Sequence, residues 1–500
     1  MSVCAALGAA MLALGDVGTP APAQMPDPGA PPQPHAPSMG AETCAREEGD
    51  TPAKLGQTGE ADRQLGLLSL LDLDFHLGPW TFHGYAQVDG AAYDQAAEGP
   101  PESDFRRGGV HRGDALRARN LSDGSFLRGA RLGGEGSFRE HFAYRAMFEL
   151  AAGGEQGEPR IAEVWLSYNR FAPYVIRIGA FPQPVNMDDA TSSDSALFLE
   201  RATAADLARS LGAGDGRIGV TLKRVDQRWM AAVSLTGPQI DSAEDYSPRA
   251  AIVARVSRAV TWAPGVSTHV GLNGTYVLSP ADKKQAGALA GFPVRFLNTP
   301  EVDVDDTPLI DTGDLFSDHA SVFGVEFAAQ RRNLYVQAEA FRFRVERQLV
   351  SAANDPHFAG FYVQGSWILT GENRRFDQSR GAFSFPKVAR PLDRGGWGAW
   401  ELAFRYSQMD LNYHAGSPGQ PPPAEGVRGG RQEIWATALL WYPRPRVRLM
   451  LNYLHVTVDR LNPARPSDPD PFGPPPATPP VGVQIGQSMS ILALRARYSF

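Results

Sequence analysis

The chain has 500 residues, 52 of them Gly and 41 Pro, with 10% aromatics and a slightly polar mean hydropathy of -0.28; beyond its N-terminus no run approaches the ~18–20 apolar residues of a membrane helix, which excludes helical spanning. A net charge of -7 argues against a nucleic-acid partner, since such domains carry a basic excess or a concentrated basic face. Of two cysteines, Cys4 lies in an apolar leader-like run and Cys44 in a Pro-rich tract, so after processing no intramolecular disulfide or Cys-based metal site is expected.

In chain order, the short apolar run Ser2 to Leu14 and the Ala21-x-Ala23 site after it predict a secretory signal peptide over residues 1–23. No Lys or Arg precedes the run, and the alternative is a disordered tail. Residues 24–78, rich in Pro, Ala, Gly and charge without a period, read as a periplasmic linker that cannot bury enough surface to fold. From residue 79 to residue 500 the pattern changes to ten-to-fifteen-residue segments that alternate apolar and polar residues between turn signals.

Sixteen such segments begin near Trp80, Gly124, Glu140, Glu158, Ala172, Asp215, Arg228, Ser247, Gly265, His319, Arg332, Phe358, Gly396, Gly430, Pro445 and Ile485. An even number returns the chain to its starting side, as a closed single-chain barrel requires. The links after the second, sixth and tenth segments are very short (Arg139-Glu140, Asp226-Gln227, Arg331-Arg332), and those after the first, fifth, ninth and fifteenth are long. Short periplasmic turns and long outer loops produce that contrast.

Alternation also assigns faces. It sets Phe142, Tyr144, Ala146 and Phe148 against Arg145 and Glu149, Trp400, Leu402, Phe404 and Tyr406 against Glu401, Arg405 and Ser407, and Val447, Leu449, Leu451 and Tyr453 against Arg448 and Asn452. One face suits lipid and the other water. A sandwich could alternate likewise, but it would not need strands this long or this many, or end them on aromatics such as Trp441-Tyr442 at interface height. The expected fold is therefore all-β, a 16-stranded antiparallel transmembrane β-barrel of a bacterial outer membrane. Its last segment puts Leu492, Leu494, Ala496, Tyr498 and Phe500 on one face and Arg495, Arg497 and Ser499 on the other. This form resembles the signal read by the barrel-assembly machinery, which is thus an expected partner beside outer-membrane lipid.

Several blocks carry a closer resemblance: Gly360 to Phe376 (GFYVQGSWILTGENRRF) followed by Gly398 to Ser407, and Arg131 to Gly136 leading to Arg177 to Pro184, Leu197 to Arg201 and Gly216 to Val220. With Leu440 to Val456 (LWYPRPRVRLMLNYLHV), this order resembles that of the phosphate-selective porins O and P over nearly the whole span from Trp80 to Phe500. The resemblance implies a homotrimeric sixteen-stranded porin, its third outer loop folded into the lumen as a constriction and a long periplasmic turn also bending inward. Pro184 to Gly214 and Gly371 to Gly395 fill those two places.

An anion crosses a pore where fixed donors replace part of its hydration and bind it weakly at several sites. Arginine suits phosphate because its fork donates paired hydrogen bonds and its charge does not titrate. The solute-path candidates are Arg131, Arg145, Arg177, Arg217, Lys223, Arg255, Arg405, Arg448, Arg495 and Arg497 on the inward parity, with Arg201 in the constriction loop. The competing role is pairing with Glu135, Glu149, Glu163, Glu326, Glu339 and Glu401 on the same parity. Acids outnumber bases in the constriction segment (Asp188, Asp189, Asp194, Glu200 and Asp206 against Arg201 and Arg209), and the stretch from Glu301 to Asp318 is acidic, which would favour a cation. The inward turn is the reverse, with Arg374, Arg375, Arg380, Lys387, Arg390 and Arg394. The run Asp303-Val-Asp-Asp306 lacks the Gly and terminal Glu of a helix-loop-helix calcium site and reads as a solvated loop. No phosphate loop, metal-ligand spacing or nucleophile motif emerges, so no cofactor, metal or catalytic residue is expected. The function expected is passive diffusion of small hydrophilic solutes, phosphate or other anions among them; the alternatives are an enzymatic barrel and a structural or adhesive one.

Overall fold

The computed structural model describes residues 80–95, 121–152, 159–240, 250–263, 265–280, 293–348, 354–463 and 481–500. The expected signal peptide and linker lie outside the described residues. Sixteen strands build one wall: β1 (Thr81–Gln95), β2 (Gly124–Phe138), β3 (Phe142–Ala152), β4 (Arg160–Tyr168), β5 (Tyr174–Ala180), β6 (Arg217–Val225), β7 (Trp229–Gln239) and β8 (Ala250–Ala263). They continue as β9 (Val266–Ser279), β10 (Leu315–Arg331), β11 (Leu334–Arg347), β12 (His357–Ile368), β13 (Ala399–Tyr413), β14 (Val427–Arg444), β15 (Val447–Asp459) and β16 (Ser488–Ser499). Each pairs antiparallel with its sequence neighbour, and β16 pairs with β1 from Tyr85↔Ser499 to Gln95↔Met489, which closes the ring. Closure matters because hydrocarbon offers no partner for an unpaired N–H or C=O. The seam continues into the last residue, where Phe500 N donates to Gly84 O at 3.0 Å and Phe500 O accepts from Gly84 N at 3.1 Å.

All sixteen expected segments are strands, each starting within four residues of its expected position. The largest offset is at β10, which begins at Leu315, before a bulge between Ser317 and His319 that resets the alternation at the expected start. The faces also follow parity: Phe404 is 57% exposed on the lipid side while its neighbours Glu401 and Arg405 are 0% and 3% exposed. At the short-turn end, rings meet tilted, stacked or edge-to-face in an unbroken series, Trp80–Tyr144–Phe138–Phe142–Tyr168–Phe171, with centroids 4.8–6.0 Å apart. Amphipathic rings favour the membrane interface, so this series marks its periplasmic height.

At the other end the alternation inverts. On β11 Phe341, Phe343 and Val345 point inward and buried while Arg342 and Arg344 are exposed outside. That part of the strand stands beyond the hydrocarbon, and the lumen beside it is dry because Phe296, from the segment after β9, packs on Phe343 and Phe358 (5.3 and 5.8 Å). Phe404→Arg should therefore destabilise the barrel by about 2–4 kcal/mol, the cost of a guanidinium near the bilayer midplane. Arg342→Leu, above the hydrocarbon, should change stability by less than about 0.5 kcal/mol. Urea unfolding in lipid vesicles measures both.

Candidate functional site

Among the described residues, three segments leave the wall and enter the lumen. The constriction loop, residues 181–216, carries two helices, α1 (Met187–Ala190) and α2 (Thr203–Gly212). A second outer segment, residues 293–314, lies over α2, and the periplasmic turn 369–398 rises from below with a small hairpin of Arg375–Asp377 on Ala382–Ser384. The expected inward placement of both the loop and the turn is observed. The inward course of 293–314 had no counterpart in the sequence reading.

The loop is held chiefly through its backbone. Glu339 on β11 accepts from Met187 N and Asp188 N, both at 2.9 Å, and Asn452 on β15 accepts from Leu199 N at 3.0 Å. Arginines on the wall donate to carbonyls: Arg448 to Ser193 O (3.0 Å) and Ala196 O, Arg405 to Glu200 O (3.0 Å), and Arg495 to Leu199 O. Within the loop Asn186 caps α1 by accepting from Asp189 N at 2.7 Å, and its amide donates to Ala205 O at 3.0 Å, which ties the two helices together. Helix α2 crosses the lumen at close range. A Cβ on wall residue Gly360 would sit 2.8 Å from Ala204, and one on Gly212 would sit 2.5 Å from Thr275 Cγ2 of β9.

The covering segment latches through Glu301, which is 2% exposed and accepts from Thr203 N (2.8 Å), Ser407 Oγ (2.6 Å) and Arg405. The turn meets the loop at Ser195: Arg374, paired with Glu401 at 2.8 Å, donates to Ser195 O at 2.8 Å, and Phe385 N donates to Ser195 Oγ at 3.1 Å. Between loop and turn remains a cleft of about 200 Å³ lined by Ser192, Asp194, Arg375, Asp377 and Arg380.

The acids that suggested cation selectivity are occupied. Asp189 pairs with Arg201 (3.2 Å) and Arg209 (2.6 Å), Asp206 accepts from Asn298 (3.0 Å), and Asp194 accepts from Ser195 (2.9 Å) and Ser192. Burial alone would raise the Glu200 carboxyl, but the adjoining guanidiniums of Arg128 and Arg495 outweigh it and hold the group down to about 2. Asp311 is bridged by Arg295 at 2.7 Å, and Asp303 accepts from Thr299 (2.8 Å) and Arg128 (3.3 Å). The stretch 301–311 is thus a bonded cover rather than the solvated loop its composition suggests. No grouping of three or more potential metal ligands occurs among the described residues.

Most of the solute-path candidates are likewise engaged. Arg131 binds Glu149 (2.6 Å) and Asp215, Arg145 binds Glu135 and Glu163 (3.2 Å each), and Arg217 donates to Ala213 O and Gly237 O (2.9 Å each). Arg255 forks onto Glu326 (2.8 Å) and donates to Arg380 O and Gly381 O of the turn, where Gly381 takes a positive φ of 59° and a Cβ would strike Ser257 Oγ at 2.5 Å. Arg495 forks onto Asp89, and Arg497 binds Gln87 (3.1 Å) and Ser193 Oγ (2.8 Å). Arg177 and Lys223 differ. Among the described residues neither has a carboxylate at hydrogen-bonding distance; the Arg177 guanidinium lies 3.9 Å above the Trp165 ring. They occupy adjacent strands, with Val175 opposite Lys223 and Arg177 opposite Thr221. The inward side chains of this sector, Arg145, Glu163, Ser167 and Arg177, make no hydrogen bond to the inserted segments.

Parity reasoning missed Arg128, which bonds Glu200 at 3.0 Å. Arg128 is the extra residue of a bulge, since Gln87 faces Gly129 and Val88 faces Leu127. A bulge shifts side-chain parity and carries no composition of its own. The joining role of Arg374 was also missed: a turn residue has no alternation to assign it a face.

A closed sixteen-stranded barrel narrowed by an inserted loop has the architecture of an outer-membrane porin. The family model for phosphate-selective porin O and P matches residues 108–472, and the chain belongs to that family and to the bacterial outer membrane. A curated relative, an uncharacterised protein of Caulobacter vibrioides, is 26% identical over 366 residues, spanning 70% of this chain and 66% of the relative's length. Solved structures of similar course include an anion-selective porin from Comamonas acidovorans (12% identical, 84% of this chain and 99% of that one, TM-score 0.47). Another is OprB of Pseudomonas putida (10% identical, 88% of this chain and 97% of that one, TM-score 0.49).

One buried acid makes docking of the loop depend on pH. Burial pushes the Asp188 carboxyl, in α1, up to about 6, against the pull of Arg405 and Arg201. The docked loop therefore binds this proton more tightly than a released one, whose carboxyl titrates near 3.8. Docking strength is fully present below about 4 and falls as pH rises through 6. Open-channel noise from loop motion should increase between pH 4.5 and pH 7, and Asp188→Asn should flatten that change in single-channel recordings.

Proposed function

We propose that the protein is a passive channel for small hydrophilic solutes with a preference for anions, phosphate among them. The observation that carries this reading is the pair Arg177 and Lys223, two inward cations on adjacent strands that have no bonded carboxylate among the described residues, beside the start of the constriction loop, where the Phe181 ring lies 5.4 Å from Arg177. Most other arginines of the described lumen are paired with carboxylates or donate to carbonyls. A passing cation meets Asp189 and Glu200 already paired with arginine, whereas a passing anion meets an ammonium and a guanidinium without a bonded carboxylate among the described residues, the latter laid on Trp165. Arg380 on the inward turn, only loosely paired with Asp377 at 3.5 Å, extends the same basic strip. Separate weak cationic positions let an anion step between them rather than lodge at one.

The remaining candidates belong to the frame. Arg405, Arg448, Arg495 and Arg497 hold the constriction loop from the wall, Arg201 pairs with Asp189 inside it, Arg131 and Arg217 hold its C-terminal end at Asp215 and Ala213 O, Arg255 holds the turn, and Arg145 braces the wall. Family membership supports a homotrimer, delivered by the assembly machinery through β16. It also favours a channel over an enzymatic or adhesive barrel.

Reversal potentials in a potassium chloride gradient, with inorganic phosphate as competitor, test the reading. The wild type should prefer chloride to potassium, and phosphate should lower the chloride current. The Arg177→Gln/Lys223→Gln pair should cut the anion preference by about twofold or more, as expected for removing two fixed charges from a narrow path. A cation-selective wild type would sink the proposal.

A further inference from the structure

The lipid-facing surface holds a feature unrelated to conduction. Most outward positions carry large side chains, but across β7, β8 and β9 the outward residues Ala231, Ala254 and Gly274 are small. Register places them side by side, with Val233 opposite Ala254, Ala254 opposite Gly274 and Ala231 opposite Val256. Leu222, Val233, Val256, Leu272 and Phe323 rise around them and leave a groove of about 500 Å³ with almost wholly apolar walls. Its lower end opens at Tyr174 and Arg224, on the side of the short turns.

Two arginines face outward there, against the rule for a lipid-exposed surface. Arg224 lies 5.8 Å from the Tyr174 ring and Arg258 4.8 Å from the Trp229 ring, both cations and both rings exposed. Register sets Tyr174 beside Arg224, Arg224 beside Ala231, and Trp229 beside Arg258. Asp226 takes one donor of Arg224 at 3.2 Å and leaves the rest of its five free. Aromatic rings with guanidiniums laid over them at the membrane interface form a headgroup-height platform.

We propose that this groove is a specific site for one anionic phospholipid of the inner leaflet. An acyl chain lies over Ala231, Ala254 and Gly274, and the phosphate sits between Arg224 and Arg258. Three features favour lipid over a second copy of the chain. The groove is lined almost wholly by apolar side chains from β6 to β10, as an alkyl chain requires. Its charged end carries Arg224 and Arg258 against the single acid Asp226, a net positive charge that complements a phosphodiester, and two copies meeting here would bring four guanidiniums together. The site also lies on β5 to β9, away from the continuous ring series of β1 to β4.

Native mass spectrometry of the full protein in mild detergent tests this, with dioleoyl phosphatidylglycerol and dioleoyl phosphatidylcholine titrated separately. The wild type should retain phosphatidylglycerol at least about five-fold better than phosphatidylcholine, the advantage expected of one or two interfacial cations. Arg224→Gln/Arg258→Gln should erase that preference, and Ala254→Phe should abolish retention of both lipids. Ala231→Leu serves as a second groove-filling variant if the first does not fold, and single-channel conductance should be unchanged in all of them. Equal retention of the two lipids by the wild type, or an unaltered preference in the double variant, overturns the headgroup assignment. Loss of the oligomer on filling the groove, with lipid retention intact, would instead assign the groove to a second copy.

Discussion

Hydrocarbon accepts no unpaired backbone donor, and that single constraint organises the rest of the molecule. It demands that β16 meet β1, which the pairing from Tyr85 to Gln95 and the terminal bonds of Phe500 to Gly84 accomplish. Closure in turn creates an interior, and alternation along every strand makes that interior the place where polar side chains collect. Arginine and carboxylate line the polar part of that interior, and a hydrophobic core forms only where the inserted segments, with Phe198, Leu207, Leu211 and Phe296, pack against the wall.

Interior charge then has two uses that compete for the same side chains. Buried ions are costly unless paired, so most lumen arginines are spent on carboxylates and on carbonyls of the constriction loop. Arg495 alone touches Asp89, Leu199 O and Glu200. A conducting surface needs the opposite, cations left incompletely satisfied. The fold separates the two by position: the inserted segments take bonds from β2, from β6 and β7 at Arg217 and Thr236, and from strands between β8 and β16, whereas among the described residues Arg177 on β5 bonds none of them.

Much of this was legible in the sequence because a period of two is a strong signal when repeated sixteen times. Strand number, starts, faces and the inward loop and turn all followed from alternation, link length and family resemblance. What escaped were departures from periodicity. The bulge at Arg128 moves a charge across the wall without changing composition. The inversion at Phe341 to Val345 reflects height above the membrane, which no local pattern encodes. Acidity misled for a related reason: Glu301 and Glu200 look like a cation path in sequence, and only arginines distant in the chain, Arg405 for the first and Arg128 and Arg495 for the second, cancel them. Sorting free from spent charges requires the partners, which come from strands far apart in the chain.

The wall arginines Arg405, Arg448 and Arg495 address the constriction loop mostly by its carbonyls, at Ser193, Ala196, Leu199 and Glu200. A carbonyl is present whatever residue bears it. The clasp is therefore indifferent to side-chain identity along that stretch, and a guanidinium keeps its charge at any pH the cell meets. Descendants of this chain are free to rewrite the loop's exposed face, and with it what the channel admits, without loosening the loop from its seat.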